Sequence, residues 1–456
     1  MARLTPSGAV PAPGPGVRPP GPAEDLELSG IRADPLAFLE NLTTEYGDLC
    51  SHRTSDRTVW FANSPELARH ILKDNYTNYT KAGTPDDFML TPLLGKGLLT
   101  SNGARWERQR RLCAPSFRRV AVESFDGLMV AAALDLAAVW GEAADRGETV
   151  RVDHDVTALT LRVVTAALLG SEVASVGHRF GQAVDDINRF IGHFDGASSG
   201  DGEFRARLRA YAGAKGFLDR VVDTMIRARR LTGPQGGSGD LLDAMLGAPG
   251  RDVDSLSAQE VHDQVLTMVM AGHETTAKAL SWTLHLLGRH PEHAARVRAE
   301  IDRVVGTRSP TAADLPGLVH TRRCLDEAVR LFPPVWLISR LAVHDDLLGG
   351  FRVPAGTLVC VSPWTLHRHP QHWEAPEEYR PERRHDRAGH SYLPFGGGPR
   401  VCIGQAFATT EAMLVLTVVL QRLRLTRAPG SPVVPEALVT LRPRDGLVMR
   451  VERRHG

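Results

Sequence analysis

A mainly α fold with a minor β part, built as a single large domain around a long central helix, is what this sequence predicts. Three observations predict it. From about residue 104 to 245 long helical patterns follow one another. A capped run over residues 258–289 is apolar on several sides, as a central, buried helix must be. After about residue 340 the texture changes to short strand-like pieces among Pro- and Gly-rich segments. No internal repeat and no clean linker interrupts residues 34–453, so one domain is expected rather than two.

Composition narrows the classes. The chain has 456 residues, enough for a sizeable core. Lys plus Arg is 54 and Asp plus Glu is 53, a formal charge of +1, which argues against nucleic-acid binding driven by bulk charge. Five cysteines, odd in number and far apart, imply neither a disulfide framework nor a paired CxxC metal site, and point to a reducing cytoplasm. Residues 1–22 hold seven Pro and four Gly and lack the apolar core of a signal peptide or anchor. Residues 1–29 are therefore expected as a disordered leader and 30–456 as the domain. No uncharged apolar run of about 18 residues appears, so a soluble protein with no membrane span is expected.

In order along the chain, residues 59–62 read as a strand end and 64–73 as a helix opened by Ser64-Pro65. Residues 120–144, 156–169, 184–194 and 203–228 read as helices, and 233–239 (GPQGGSG) as a flexible surface loop. Ser257 and Glu260 form a capping box for the helix 258–289, and His290-Pro291 ends it. About thirty residues at ~1.5 Å each make a rod of roughly 45 Å, the width of a large domain. Residues 358–361 and 447–451 read as strands, and 404–423 as an apolar helix.

The strongest motif is Phe395-Gly-Gly-Gly-Pro-Arg-Val-Cys-Ile-Gly404. A thiolate that binds a metal must be kept deprotonated and shielded from oxidation. Backbone N–H groups do this best, and glycines let the backbone approach. Arg400 adds a positive charge or holds an anionic group, and Gly404 opens the late helix so that its positive end lies near the Cys402 sulfur. The plainer alternative is a structural cysteine in a Gly-rich turn.

The whole F-x-x-G-x-R-x-C-x-G pattern resembles that of the cytochrome P450 superfamily, soluble bacterial haem-thiolate monooxygenases in particular, and the resemblance runs from about residue 34 to the end. It implies haem b as cofactor, Cys402 as the iron ligand, and Phe395 and Gly404 beside it. In the central helix, Ala271-Gly-His-Glu-Thr-Thr276 places a costly mid-helix glycine beside an acid and a hydroxyl. Gly272 either opens a groove or makes a small-residue packing contact, and the Thr275 hydroxyl can turn to a carbonyl of the preceding turn. The resemblance implies that Thr275 and Glu274 deliver protons and that Ala271 lies against the haem, whereas His273 reads as a packing residue.

Glu327 and Arg330 share a helix face, a pattern common on surface helices. With Trp373-x-x-Pro376-x-x-Tyr379-x-Pro381-x-Arg383 downstream, the resemblance implies a buried structural network of Glu327, Arg330 and Arg383; Arg384 departs from the family, which has an aromatic residue there. Trp106 and Arg110, one helical turn apart, suit a haem carboxylate through an indole N–H and a guanidinium. The resemblance adds Arg340 and Arg400 to that set. Six arginines between Arg105 and Arg119 read as a solvated face, or as a docking patch for an acidic electron-transfer protein.

What the resemblance implies, taken together, is insertion of one oxygen atom of O2 into a C–H bond of a hydrophobic small molecule, with possible further oxidation or epoxidation. A natural-product step on a terpene or polyketide/macrolide is preferred over fatty-acid hydroxylation, an H2O2-driven peroxygenase, or a non-enzymatic haem sensor or carrier. Electrons are expected from a separate ferredoxin and ferredoxin reductase using NAD(P)H. Candidate pocket linings are residues 89–94, 190–194, 268–271, 335–338 and 438–439.

Overall fold

The computed structural model describes residues 18–55, 57–169, 177–192, 202–232, 241–246, 256–385, 389–428, 430 and 432–454. The loop expected at 233–239 and residues 1–17 of the expected leader lie outside them. Helices dominate and strands are short and few.

The central helix spans Ala258–Arg289. The Ser257 hydroxyl accepts from the Glu260 N–H at 3.2 Å, and the Glu260 carboxylate accepts from the Ser257 N–H at 3.0 Å. Two donors that a helix start would otherwise orphan are thus satisfied. His290 caps the far end, and Pro291 opens the next helix, Pro291–Val304. The central helix packs along the helix Val152–Leu169 and shares a large apolar cluster with the helices Asp126–Asp145, Val319–Leu331 and Gln405–Arg422. On the central helix, the buried Trp282 ring stacks on Phe332 with centroids 4.1 Å apart and donates its N–H to the Leu441 carbonyl at 3.1 Å.

Where one helix was expected over residues 120–144 there are two, Arg119–Glu123 and Asp126–Asp145. The break at Phe125 turns its ring to Phe407, 6.0 Å away on the helix Gln405–Arg422. A tertiary aromatic contact thus overrides local helix propensity. Among the described residues, Asp126–Asp145 alone is long and apolar enough to cross a membrane, and half of that stretch is buried inside the fold. Trp140 on this helix is fully buried and donates its N–H to Asp155 at 2.8 Å.

The main sheet has strands β1 (Leu49–Arg53), β2 (Thr58–Ala62), β3 (Tyr79–Thr80), β4 (Ile338–Ala342) and β5 (Leu358–Val361), in the order β1-β2-β5-β4-β3. Only β2 and β5 run parallel, pairing Val59 with Leu358 and Phe61 with Cys360. The sheet thereby ties the first eighty residues to a segment nearly three hundred positions later. The sequence assigns residues 18–29 to the leader, yet residues 19–26 lie along the outer edge of β1. Ser51 donates its N–H to the Pro20 carbonyl and its hydroxyl to the Pro19 carbonyl, both at 2.8 Å, and the Leu26 N–H reaches the Arg53 carbonyl at 2.8 Å. Prolines lack a donor but keep their carbonyls, so a Pro-rich strap can still cover a strand edge. Gly21 is required there: a Cβ would sit 1.6 Å from the Ser51 carbonyl oxygen.

Candidate active site

The cysteine loop is built by short-range bonds. The Cys402 N–H donates to the Phe395 carbonyl at 2.9 Å, closing the loop onto itself. Gly398 has φ +65°, and a Cβ there would lie 1.8 Å from the Leu72 carbonyl oxygen, so only glycine fits. Gly404 caps the helix Gln405–Arg422, which places that helix's positive end at the loop. Of the five cysteines, Cys50, Cys113, Cys324 and Cys360 are buried, and burial pushes their thiols up to about 12. Cys402 alone is exposed. Burial of its surroundings raises its pKa, while the Gly404 N–H and the nearby Arg110 and Lys81 charges pull it back. A cation bound at the sulfur would complete the shift to thiolate.

Cations gather beside this loop. Arg110 donates to the Val401 carbonyl at 2.7 Å, fixing the helix Gly103–Cys113 against the residue preceding Cys402. Arg400 donates to the Ser101 carbonyl at 3.0 Å and to Asn102 at 3.1 Å, with its guanidinium 4.4 Å over the Trp106 ring. Arg340, on β4, is buried and donates to the Ser339 carbonyl at 2.8 Å. Burial and the neighbouring Arg400 lower it to about 10. Sequence reasoning missed Lys81, just after β3, which burial and the charges of Arg340 and Arg400 bring down to about 7. The carboxyls of Asp86 and Asp87 face Lys81, and desolvation raises that of Asp86. Mutually repelling cations that outnumber the carboxylates among them suit an anionic ligand.

The central helix opens opposite this chemistry. It is buried from Val261 to Val269 and from Thr276 to Leu287, but Ala271 is exposed and Glu274 and Thr275 are partly so. Ile403, next to Cys402, packs into the same apolar cluster as Met268 and Val269, so the opened stretch and the cysteine loop border one region. The Thr275 hydroxyl donates to the Ala271 carbonyl at 2.8 Å. Gly272 serves packing rather than opening a groove: a Cβ there would meet Val164 of the neighbouring helix at 3.1 Å. His273 is fully buried with Nδ1 2.7 Å from the Val269 carbonyl, as a packing residue should be. Glu274 accepts a hydrogen bond at 2.9 Å from Thr440, 166 residues away, a partner no local pattern signals.

Glu327 and Arg330 are fully buried, not a surface pair. Arg330 makes two bonds to the Glu327 carboxylate, at 2.8 and 2.9 Å, and donates to the carbonyls of His367, Pro376 and Glu378. The side chains of Arg383 and His385 also reach the Glu327 carboxylate, at 3.1 and 2.9 Å. Burial pushes the Glu327 carboxyl up, but bonds from His385 and Arg330 outweigh it and hold it at about 2. The His385 ring also stands 4.5 Å from the Tyr392 ring, centroid to centroid.

Of the expected lining residues, Met89, Leu90, Phe190, Met268, Val269 and Met270 belong to one apolar cluster. Residues 193 and 194 of the expected lining lie outside the described residues. Residues 335–338 and 438–439 meet through the Trp336 N–H, which donates to the Leu438 carbonyl at 2.8 Å.

A helical fold with an accessible, backbone-cradled cysteine bordering the exposed stretch of its central helix suits a thiolate-ligated oxidoreductase class. The family model described as Cytochrome P450 matches residues 25–449, and the chain belongs to the cytochrome P450 family. It is similar to cyclooctatin synthase of Streptomyces melanosporofaciens, 36% identical over 422 residues that cover 89% of each chain. It is also 34% identical to pentalenene oxygenase of Streptomyces avermitilis, over 89% of this chain and 90% of that one. The crystal structure of the cytochrome P450DA heme domain superposes with a TM-score of 0.86 at 31% identity, covering 97% and 98% of the two chains. The protein is thus a monooxygenase of a family that carries a haem-thiolate cofactor and uses O2, redox partners and hydrophobic substrates. The exposed thiol and the under-neutralised cations fit such a group, which needs one thiolate and binds through carboxylates.

Proposed function

We propose that this enzyme holds haem b through Cys402 and hydroxylates a terpene-like hydrocarbon. The observation that carries the reading is the environment of Cys402, the single accessible thiol, with its N–H fixed to Phe395 and cations beside it. Haem, when bound, supplies the oxidising chemistry that inserts one oxygen atom of O2 into a C–H bond. Trp106, Arg110, Arg340, Arg400 and Lys81 would hold its carboxylates, Ala271 and Phe395 would pack against it, and the Gly404 N–H points to the Cys402 sulfur. Glu274, positioned by Thr440, and Thr275 hold and pass the protons that oxygen activation consumes. The apolar cluster around Met89, Phe190 and Met268 excludes water from the substrate. Support for a terpene comes from relatives named for cyclooctatin and pentalenene.

Exposed Arg105 and Arg111 on the helix that Arg110 binds to the cysteine loop, with Arg118 and Arg119 just after it, suit docking of an acidic ferredoxin served by a reductase and NAD(P)H. The cytoplasm is the proposed location, where such partners are found with reduced thiols.

The test is Thr275→Ala, assayed with ferredoxin, reductase and NAD(P)H. Electrons should be diverted to H2O2 and product per NAD(P)H should fall by roughly tenfold or more, as loss of a positioned proton donor entails. Thr440→Val, which frees the Glu274 carboxylate, should move the same ratio in the same direction by less. Unchanged product formation in Thr275→Ala sinks the proton-delivery reading. Turnover with H2O2 but none with the electron-transfer proteins would make the enzyme a peroxygenase instead.

A further inference from the structure

A second group of titratable side chains lies apart from the cysteine loop, where the helices Pro291–Val304 and Val319–Leu331 meet the segment after Tyr379. His293 comes from the first helix, His320 from the second and Glu382 from the segment, and one ligand-capable atom of each lies within 4.8 Å of the other two. The His293 and His320 rings are 5.5 Å apart. His293 Nδ1 is 4.0 Å from Glu382 Oε1. His320 is buried, and its Nδ1, like that of His293, has no hydrogen-bond partner among the described residues. Two buried imidazole nitrogens without partners beside a carboxylate are unusual for plain packing, because each forgoes the bond it would make in water.

We infer that His293, His320 and Glu382 form a binding site for a divalent transition metal of the zinc class. Two nitrogens and one oxygen are the donor set that such a cation prefers, with a fourth position left for water. Ligands ~2.0–2.1 Å from one ion in tetrahedral geometry sit about 3.4 Å apart, so the side chains need to close by roughly an ångström. Burial lowers both imidazoles from their ordinary value, which keeps them neutral and able to donate a lone pair at neutral pH. The surroundings orient the ligands. Cys324 Sγ is 3.7 Å from His320 Nε2, and a tautomer with Nε2–H toward sulfur would leave the Nδ1 lone pair for the ion. Arg296 binds Glu382 Oε1, the oxygen that faces His293, and so anchors the carboxylate at the site. Glu300 accepts from the His320 and Thr321 N–H groups at 2.8 Å and fixes the two helices together. The half-exposed Glu382 gives the ion a path from solvent. A bound metal would clamp both helices to the segment that closes on Glu327 through Arg383 and His385.

The haem-loaded protein, in which Cys402 is not offered to zinc, is stripped with a chelator and dialysed against micromolar zinc chloride. Metal per polypeptide is then measured by mass spectrometry. One zinc per chain is expected, with a rise in Tm that grows with zinc concentration. Glu382→Gln and His293→Asn should each weaken zinc binding at least tenfold while leaving the carbon monoxide spectrum of the reduced protein unchanged. If His293→Asn does not fold, the surface variant Glu382→Gln decides alone. Wild-type protein that retains well under half an equivalent, or a Glu382→Gln protein that retains as much zinc as wild type, overturns the inference.

Discussion

Cys402→Ala should abolish the red-displaced Soret band of the reduced, carbon monoxide-bound protein and, with it, product formation. The loss should exceed the roughly 10–100-fold that changes to outer partners of a metal ligand cost, because the ligand itself is gone. No other cysteine can replace it: the remaining four are buried and their thiols are pushed up to about 12. The fold should persist, since Cys402 contributes to the loop mainly through its backbone N–H, which alanine keeps. A variant that keeps the displaced band would refute sulfur ligation at this position.

The second large effect is on stability. Arg330→Ala removes both bonds to Glu327 and the bonds to three backbone carbonyls, in a site with no access to water. Breaking a buried pair by deleting one partner costs roughly 3–5 kcal/mol, because the other charge stays buried. Arg330→Lys should recover little, since an ammonium cannot reproduce the fork. Chemical denaturation would measure both. The same network carries a pH dependence. Glu327 sits at about 2 in the folded protein, below its ordinary value near 4.3 in an unfolded chain. A depressed carboxyl contributes stability that is complete above about pH 4.3 and is lost as pH falls toward 2, on the order of 3 kcal/mol in all. Any folded Arg330→Ala protein should show a shallower decline across that window, and a decline as steep as in wild type would remove Arg330 from the cause.

Much was legible in the residues themselves. The capping box of the central helix joins Ser257 to Glu260, three positions apart, and the helix starts and stops where those residues and Pro291 place it. The cysteine loop is likewise closed by bonds among residues 395–404, so its motif reports its geometry. Other features had no local signature. Phe125 breaks a helix to reach Phe407, and the Pro-rich residues 19–26 are held along the edge of β1 by bonds to Ser51 and Arg53.

The sequence alone determined the family, the mainly helical class, the central helix and the thiol at Cys402, because each rests on patterns within a turn or a short loop. Tertiary structure alone decided that Gly272 is a packing contact against Val164, that Lys81 joins the cations around Arg340, that Thr440 holds Glu274 and that His385 completes the bonds to Glu327. Those partners lie from 58 to 166 residues apart where their separation is given by a direct bond. Chain spacing carries no information at such range: what brings the groups together is the burial of apolar surface on helices and strands that connect them, and only the folded packing fixes which side chains then meet.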